Sequence, residues 1–349
     1  MKKGVARRAL VAAKVYVSDA SEAYTKSLAP VLRKRSAVAA KTTTAGASTP
    51  SAALIDIFTD VPYSRTNLTV VGSVDAVAEL SLDLTLRALR GDAIKLSAHR
   101  GTHPRVGVVD HVAFHPLDPA RDDGMSDAMR AAEVFAERLR AERLVPVFVY
   151  GGEGHPSLVD VRKQQTDFFK DPVGGIYEGL GGGGGGAVGG SNGDSDGGGG
   201  EGGDGGSGSG GGDGSGGARN DCNNLDNDLG VTIVGACPWV TNYNLLLETT
   251  DLRAGRKVAR RVRAWEGFEK GTVQTMALAH DGGRIEIACN VLDAAGTGLG
   301  AVQDAIAKSA ELELGDGFPA AQCPMGYVVG GLKEEDVLAM AKEMVEQVD

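Results

Sequence analysis

Glycine is the first constraint on what this chain can fold into. Of its 52 glycines, 24 lie between Gly181 and Asp221. The same window holds six acids (Asp194, Asp196, Glu201, Asp204, Asp213, Asp221) against Arg219 alone, which is half of the chain's formal charge of −10. Glycine loses more backbone entropy on ordering than any other residue, and this stretch has almost nothing to bury in return. Residues 181–222 are therefore expected to be a disordered insert. Their glycines follow no three-residue period, which excludes a collagen-like coil. Folding is left to the flanking segments 1–180 and 223–349, together roughly 300 residues, enough for one large or two smaller cores.

Several function classes fall away at this level. The four cysteines (Cys222, Cys237, Cys289, Cys323) form no C-x-x-C pair and are expected to be idle thiols in a reducing compartment. No apolar run approaches 18 residues, so no membrane span is expected. Net acidity argues against a broad nucleic-acid surface. The N-terminus departs from that average, with ten Lys and Arg among residues 1–50 against Asp19 and Glu22. A cytoplasmic location is expected, with an organelle transit peptide as the alternative that this basic start raises.

Strand and helix patterns alternate along both flanks. Lys14–Ser18, Leu54–Phe58 and Leu68–Val71 read as strands, and Ser21 caps a helix running to Arg33. Val77, Leu80, Leu84 and Ala88 give Val74–Leu89 a helical period, and Val145–Tyr150 reads as a buried strand. After the insert come a strand at Val231–Gly235, a basic helix capped by Asp251, and two strands joined at Asp281-Gly282-Gly283, a hairpin signal. Hairpins mixed with βα units predict an α+β fold of two ferredoxin-like, split βαβ subdomains, with the ligand site in the cleft between them. The basic helix itself reads as a solvated face, or as a docking face for an anion.

Four of the six histidines fall within seventeen residues: His99, His103, His111 and His115. The H-x-x-x-H spacings invite a zinc reading, but Gly101, Pro104 and Gly107 forbid the helix it needs, so no metal site is expected. His111 and His115 share one face of a strand. His103 sits in a turn between Gly101 and Pro104, just before that strand and beside Arg105. An imidazole held there can serve as a general acid/base near neutral pH, and equally can be structural. Residue types alone leave both open. The guanidiniums of Arg65 and Arg105 are candidate partners for substrate carboxylates.

The same residues carry a resemblance. Ser97, His99, Gly101, His103, Pro104, Arg105, Gly107 and Asp110 follow the pattern S-x-H-x-G-x-H-P-R-x-G-x-x-D of the formiminotransferase family. Ser64-Arg65-Thr66 with Leu68–Gly72, Gly230–Ala236, Tyr243-Asn244 and Asn290–Asp293 resemble further family segments. The resemblance runs from about Val15 to Leu332 outside the insert. It implies a glutamate formimidoyltransferase, or the transferase module of a formiminotransferase-cyclodeaminase, of a divergent plant- or algal-like branch. It also implies transfer of a formimino or formyl group between glutamate and tetrahydrofolate, within one-carbon metabolism and histidine degradation. His103 would be the acid/base group, with Gly230, Asn244 and Asn290 in substrate-binding segments. Tetrahydrofolate would be the co-substrate, folate and glutamate-type molecules the partners, and a homodimer the assembly.

Departures from the family pattern set up the competing expectation. Phe58 stands where the second acid of a D-x-D belongs, Thr102 replaces a Glu, and Cys237-Pro238 replaces a basic pair. The substrate loop before Gly230 gives way to Asn223–Leu229 at the insert's end. A folate-binding module that has lost transfer is thus the alternative to an active transferase.

Overall fold

The computed structural model describes residues 9–28, 30–31, 52–91, 94–99, 101, 103, 105–117, 122–164, 228–315, 318 and 323–346. The expected insert at 181–222, the basic residues at the extreme N-terminus and the far end of the helix expected to reach Arg33 lie outside them, as do Thr102 and Pro104 of the histidine segment.

The first sheet begins with β1 (Leu10–Val17), followed by helix α1 (Glu22–Ser27), β2 (Ala52–Asp60), β3 (Arg65–Ser73), helix α2 (Val74–Leu89) and β4 (Val109–Pro116). Ser21 caps α1 by accepting the amide of Tyr24, as its position before the helix predicts. These strands line up as β2-β3-β1-β4, all antiparallel. The second sheet is built from β7 (Thr241–Leu247), α5 (Leu252–Arg263), β8 (Val273–Ala279), β9 (Ile285–Val291), a short helix α6 (Ala294–Thr297), α7 (Leu299–Leu314) and β10 (Tyr327–Val328), in the order β10-β7-β9-β8. Both sets of four strands thus share one connectivity, the split βαβ arrangement expected from the sequence. Asp251 caps α5 through the amides of Arg253 and Ala254. The β8–β9 turn closes through Gly282 and Gly283, whose φ of 64° and 77° are the left-handed values such a turn requires.

The first half continues past these four strands, with the strand expected at Val145–Tyr150 in place. Helix α3 (Gly124–Ala141), β5 (Val147–Tyr150) and α4 (Leu158–Gln164) follow β4, and β6 (Thr232–Ala236) slots in parallel between β4 and β5. The strand that opens the segment after the insert therefore belongs to the first sheet, not the second. Its physical reason is on its surface: all five residues are buried, so it suits an interior parallel strand covered on both faces.

Period-two alternation assigns the faces. Val11, Ala13, Val15 and Val17 of β1 pack with Phe114 of β4 and with α2 and α3 in one core. Ala12 looks the other way, into a smaller cluster with Trp239 and with Val337 and Ala341 of the last helix, α8 (Glu334–Glu346). In the second sheet Tyr243, Leu245, Ile285 and Ile287 pack onto α5 and α7. The rest of the opposite strand faces of the two sheets lines the space between them. Among the described residues no helix is long and apolar enough to cross a membrane.

Candidate active site

A cavity of about 650 Å³ lies between the two sheets. Its first wall carries Tyr16, Arg65, His111 and His115, and its second Asn242, Asn244, Gln274 and Asn290. On each strand these alternate with core residues, so strand periodicity segregates polar from apolar. His103 and Arg105 enter from the loop before β4.

That loop is held by close backbone packing. Gly107 forms an antiparallel bridge with Gly230, and Val231 N–H donates to the carbonyl of Val106 at 2.9 Å. A Cβ on Gly107 would lie 2.1 Å from the Val231 carbonyl oxygen, and one on Gly230 2.3 Å from that of Val106. Residues 229–231 are thereby pinned against the histidine segment, and Gly230 holds them there without lining the cavity.

Arg105 Nη1 donates to His103 Nδ1 at 2.5 Å and lies 3.6 Å from Asp110 Oδ2. Because a guanidinium can only donate, Nδ1 accepts, and a neutral His103 carries its proton on Nε2. The expected pairing of Arg105 with a substrate carboxylate thus meets a guanidinium already engaged inside the protein. Arg65 differs: it lies over the rings of Tyr16 and Tyr63, at 5.8 and 5.6 Å, and lines the cavity. Arg162 of α4, which the sequence reading did not single out, lines it as well. Neither forms a salt bridge with a carboxylate among the described residues. Asn244 and Asn290 reach the cavity through opposed strands, Asn244 donating to Glu286 and Asn290 accepting from Asn242 at 2.6 Å.

Two more of the four clustered histidines, His111 and His115, line the cavity from β4. His115 is buried, and its Nδ1 donates to the carbonyls of Cys237 and Pro238 at 3.1 and 3.0 Å. Burial and then Lys14 push its pKa down to about 3, so it stays neutral. His111 stacks on Tyr16, meets the Tyr150 hydroxyl at 2.9 Å, and is likewise held neutral by burial. Lys14 crosses between the sheets, donating to the Val240 carbonyl at 2.7 Å under the Trp239 ring. Burial lowers its pKa to about 8 and raises that of the Cys237 thiol to about 11, so that thiol is no nucleophile at neutral pH. Among the described residues no group of three or more His, Cys, Asp and Glu converges as a metal site.

A carboxylate network lies behind the cavity-lining Tyr63 and Asn244, both of which donate to Glu286. His280 Nε2 lies 3.4 Å from Asp60 Oδ1 and 4.0 Å from Glu286 Oε1. Burial opposes the imidazolium of His280, but its contact with Asp60 and the charges of Glu286 and Asp281 outweigh that and raise its pKa. Burial likewise opposes the charge on Asp60, yet His280, the Tyr63 amide and Arg65 hold its pKa below the usual value. The pair stabilises the fold where both are charged. His280→Gln is expected to cost about 2 kcal/mol at mildly acidic pH. The loss shrinks as pH rises through the raised pKa of His280, above 6.5, and as pH falls through the depressed one of Asp60, below 3.8. Urea unfolding across pH reads this directly; a pH-independent difference would refute the pairing.

Comparison with known proteins now bears on this site. Residues 10–174 match the family described as "Formiminotransferase domain, N-terminal subdomain". A "Formiminotransferase cyclodeaminase-like protein" of Arabidopsis thaliana is 32% identical over 263 residues, covering 74% of this chain and 77% of that protein. The chain belongs to the formiminotransferase family. A "Glutamate formimidoyltransferase" of Thermoplasma acidophilum is 23% identical over 63% of this chain and 60% of its own length. The "Formimidoyltransferase-cyclodeaminase" of Sus scrofa is 36% identical over 105 residues, only 18% of that protein's length. The formiminotransferase match with the Arabidopsis protein extends well beyond the histidine loop, since 263 residues exceed either flank of the insert.

Proposed function

We propose that this chain transfers a formimino or formyl group between glutamate and tetrahydrofolate in the cavity between its sheets, with His103 as acid/base. The observation that carries this reading is the joint placement of His103, Arg65 and Arg162 around one cavity. An imidazole and two cations that form no salt bridge with a carboxylate among the described residues suit a substrate with carboxylates at its ends and amine chemistry between them.

The proton path follows from the hydrogen bonds. Arg105 covers the Nδ1 lone pair. Asp110, 3.6 Å from the same Nη1, offers the guanidinium another partner. Once Arg105 turns to Asp110, Nδ1 takes the proton of the folate nitrogen as that nitrogen bonds to the formimidoyl carbon. The imidazolium then returns a proton to the glutamate nitrogen, whose bond to the same carbon breaks, and glutamate leaves.

The direct test is an assay of the purified chain with tetrahydrofolate and either N-formiminoglutamate or N-formylglutamate. Folate-dependent loss of the donor group is expected. Measurable folate affinity with no transfer from either donor would establish the non-catalytic binding module instead. Arg65→Met and Arg162→Met are each expected to raise KM for the glutamate donor about 10- to 100-fold with a small change in kcat. Unchanged KM values for both variants would remove the two cations from substrate binding.

A further inference from the structure

Glu286 is the second residue of β9, on the face turned toward the first sheet, with none of its surface exposed. Its carboxylate is fully engaged. Tyr63 Oη and Asn244 Nδ2 donate to Oε2 at 2.6 and 2.9 Å, and Tyr327 Oη donates to Oε1 at 2.6 Å. A buried carboxylate is costly even when satisfied, and an apolar side chain would fill such a position more cheaply. Packing alone therefore does not account for it.

Of its three donors, only Tyr63 comes from the first subdomain. Tyr63 is itself fully buried, in the turn between β2 and β3, with its amide bonded to Asp60 at 3.0 Å. Its other end meets the histidine loop twice. The ring stands edge-on to His103 with centroids 5.5 Å apart. Its carbonyl oxygen lies 2.1 Å from where a side chain on Gly101 would begin, so the loop backbone runs directly against it. One tyrosine thus touches the second subdomain with its hydroxyl and the His103 loop with its ring and carbonyl.

We propose that Glu286 is a positioning residue that sets the His103 imidazole through Tyr63, so that docking of the second subdomain completes the site on the first. The hydroxyl–carboxylate bond fixes how deep the Tyr63 ring sits, and the ring forms the wall against which His103 rests. The kinetic part of this inference rests on the reading of His103 as the acid/base group; the structural part does not.

The test compares Tyr63→Phe, Glu286→Gln and the double variant in the full chain. Each single change is expected to lower kcat about tenfold with KM within about twofold, because misplacing a reacting group costs rate rather than binding. The double variant should be no slower than the slower single one, since both remove the same link. In NMR spectra of ligand-free protein labelled at histidine, the His103 ring resonances should move in both single variants while those of His155, which faces Glu133 and does not line the cavity, stay in place. His103→Asn supplies the assignment. Multiplying kcat effects, or unmoved His103 resonances, would overturn the proposal. Shifted resonances in a protein without transfer activity would retain the link and reject the catalytic reading. If Glu286→Gln does not fold, Tyr63→Phe, which removes one hydroxyl and keeps the ring, decides by the same two readouts.

Discussion

His103→Asn is expected to lower kcat for group transfer by about 10²- to 10⁴-fold, the usual contribution of one positioned acid/base group. Asparagine fills much of the imidazole's space and keeps an acceptor for Arg105, so the 2.5 Å contact has a substitute and the buried guanidinium keeps its setting near Asp110. The carboxamide cannot take up and return a proton at neutral pH. Folate affinity and the unfolding midpoint should therefore stay close to those of the parent chain. Titration calorimetry with a tetrahydrofolate analogue, run beside the transfer assay, separates the outcomes. Turnover within a few-fold of the parent would reject His103 as the proton carrier. A parallel loss of affinity and stability would show that the imidazole is a strut of the loop.

Gly107→Ala and Gly230→Ala should each destabilise the fold by about 2–3 kcal/mol, the range for forcing atoms into a well-packed interior. The clash at Gly107 is with the Val231 carbonyl, and at Gly230 with the Val106 carbonyl and the Gly107 Cα. These are backbone atoms that cannot swing aside. Gly230 also has φ +67°, so a side chain there is strained in addition to being crowded. Denaturant unfolding measures the loss. KM for folate, taken on the folded protein, is expected to change little, because Gly230 bridges chain segments and does not line the cavity. A rise in KM without loss of stability would return Gly230 to the substrate-binding role that its family segment suggested.

Much of the architecture was legible beforehand because its signals are local. The helix over Val74–Leu89 has the bounds its apolar spacing predicts, and Asp251 caps the helix it precedes. The Asp-Gly-Gly turn joins β8 to β9 as expected. His103, Arg65, Arg105, Asn244 and Asn290, singled out from separate segments, all line the one cavity. Glu286, Tyr63, His280 and Arg162 were not singled out, although a weak signal existed. In Ile285-Glu286-Ile287-Ala288-Cys289-Asn290, apolar residues alternate with a second face that carries an acid and an amide. Alternation shows that Glu286 leaves the helix-packed core of its own sheet. It does not show what Glu286 meets there.

Residue order alone therefore determined the period of most strands and long helices, the caps at Ser21 and Asp251, the Asp-Gly-Gly turn, and the place of the histidine loop before a strand. These follow from backbone sterics and from hydrogen bonds within a few residues. Only the tertiary structure decided that β6 completes the first sheet, that Arg105 is tied to His103, and that a carboxylate on the second sheet holds a tyrosine of the first. Parallel pairing of β4 with β6 joins His111 to Ile233 across a long stretch of chain that includes the glycine-rich segment. No short-range pattern encodes such a partner. It is selected when buried strand faces and buried charges, which need particular neighbours, find them on folding.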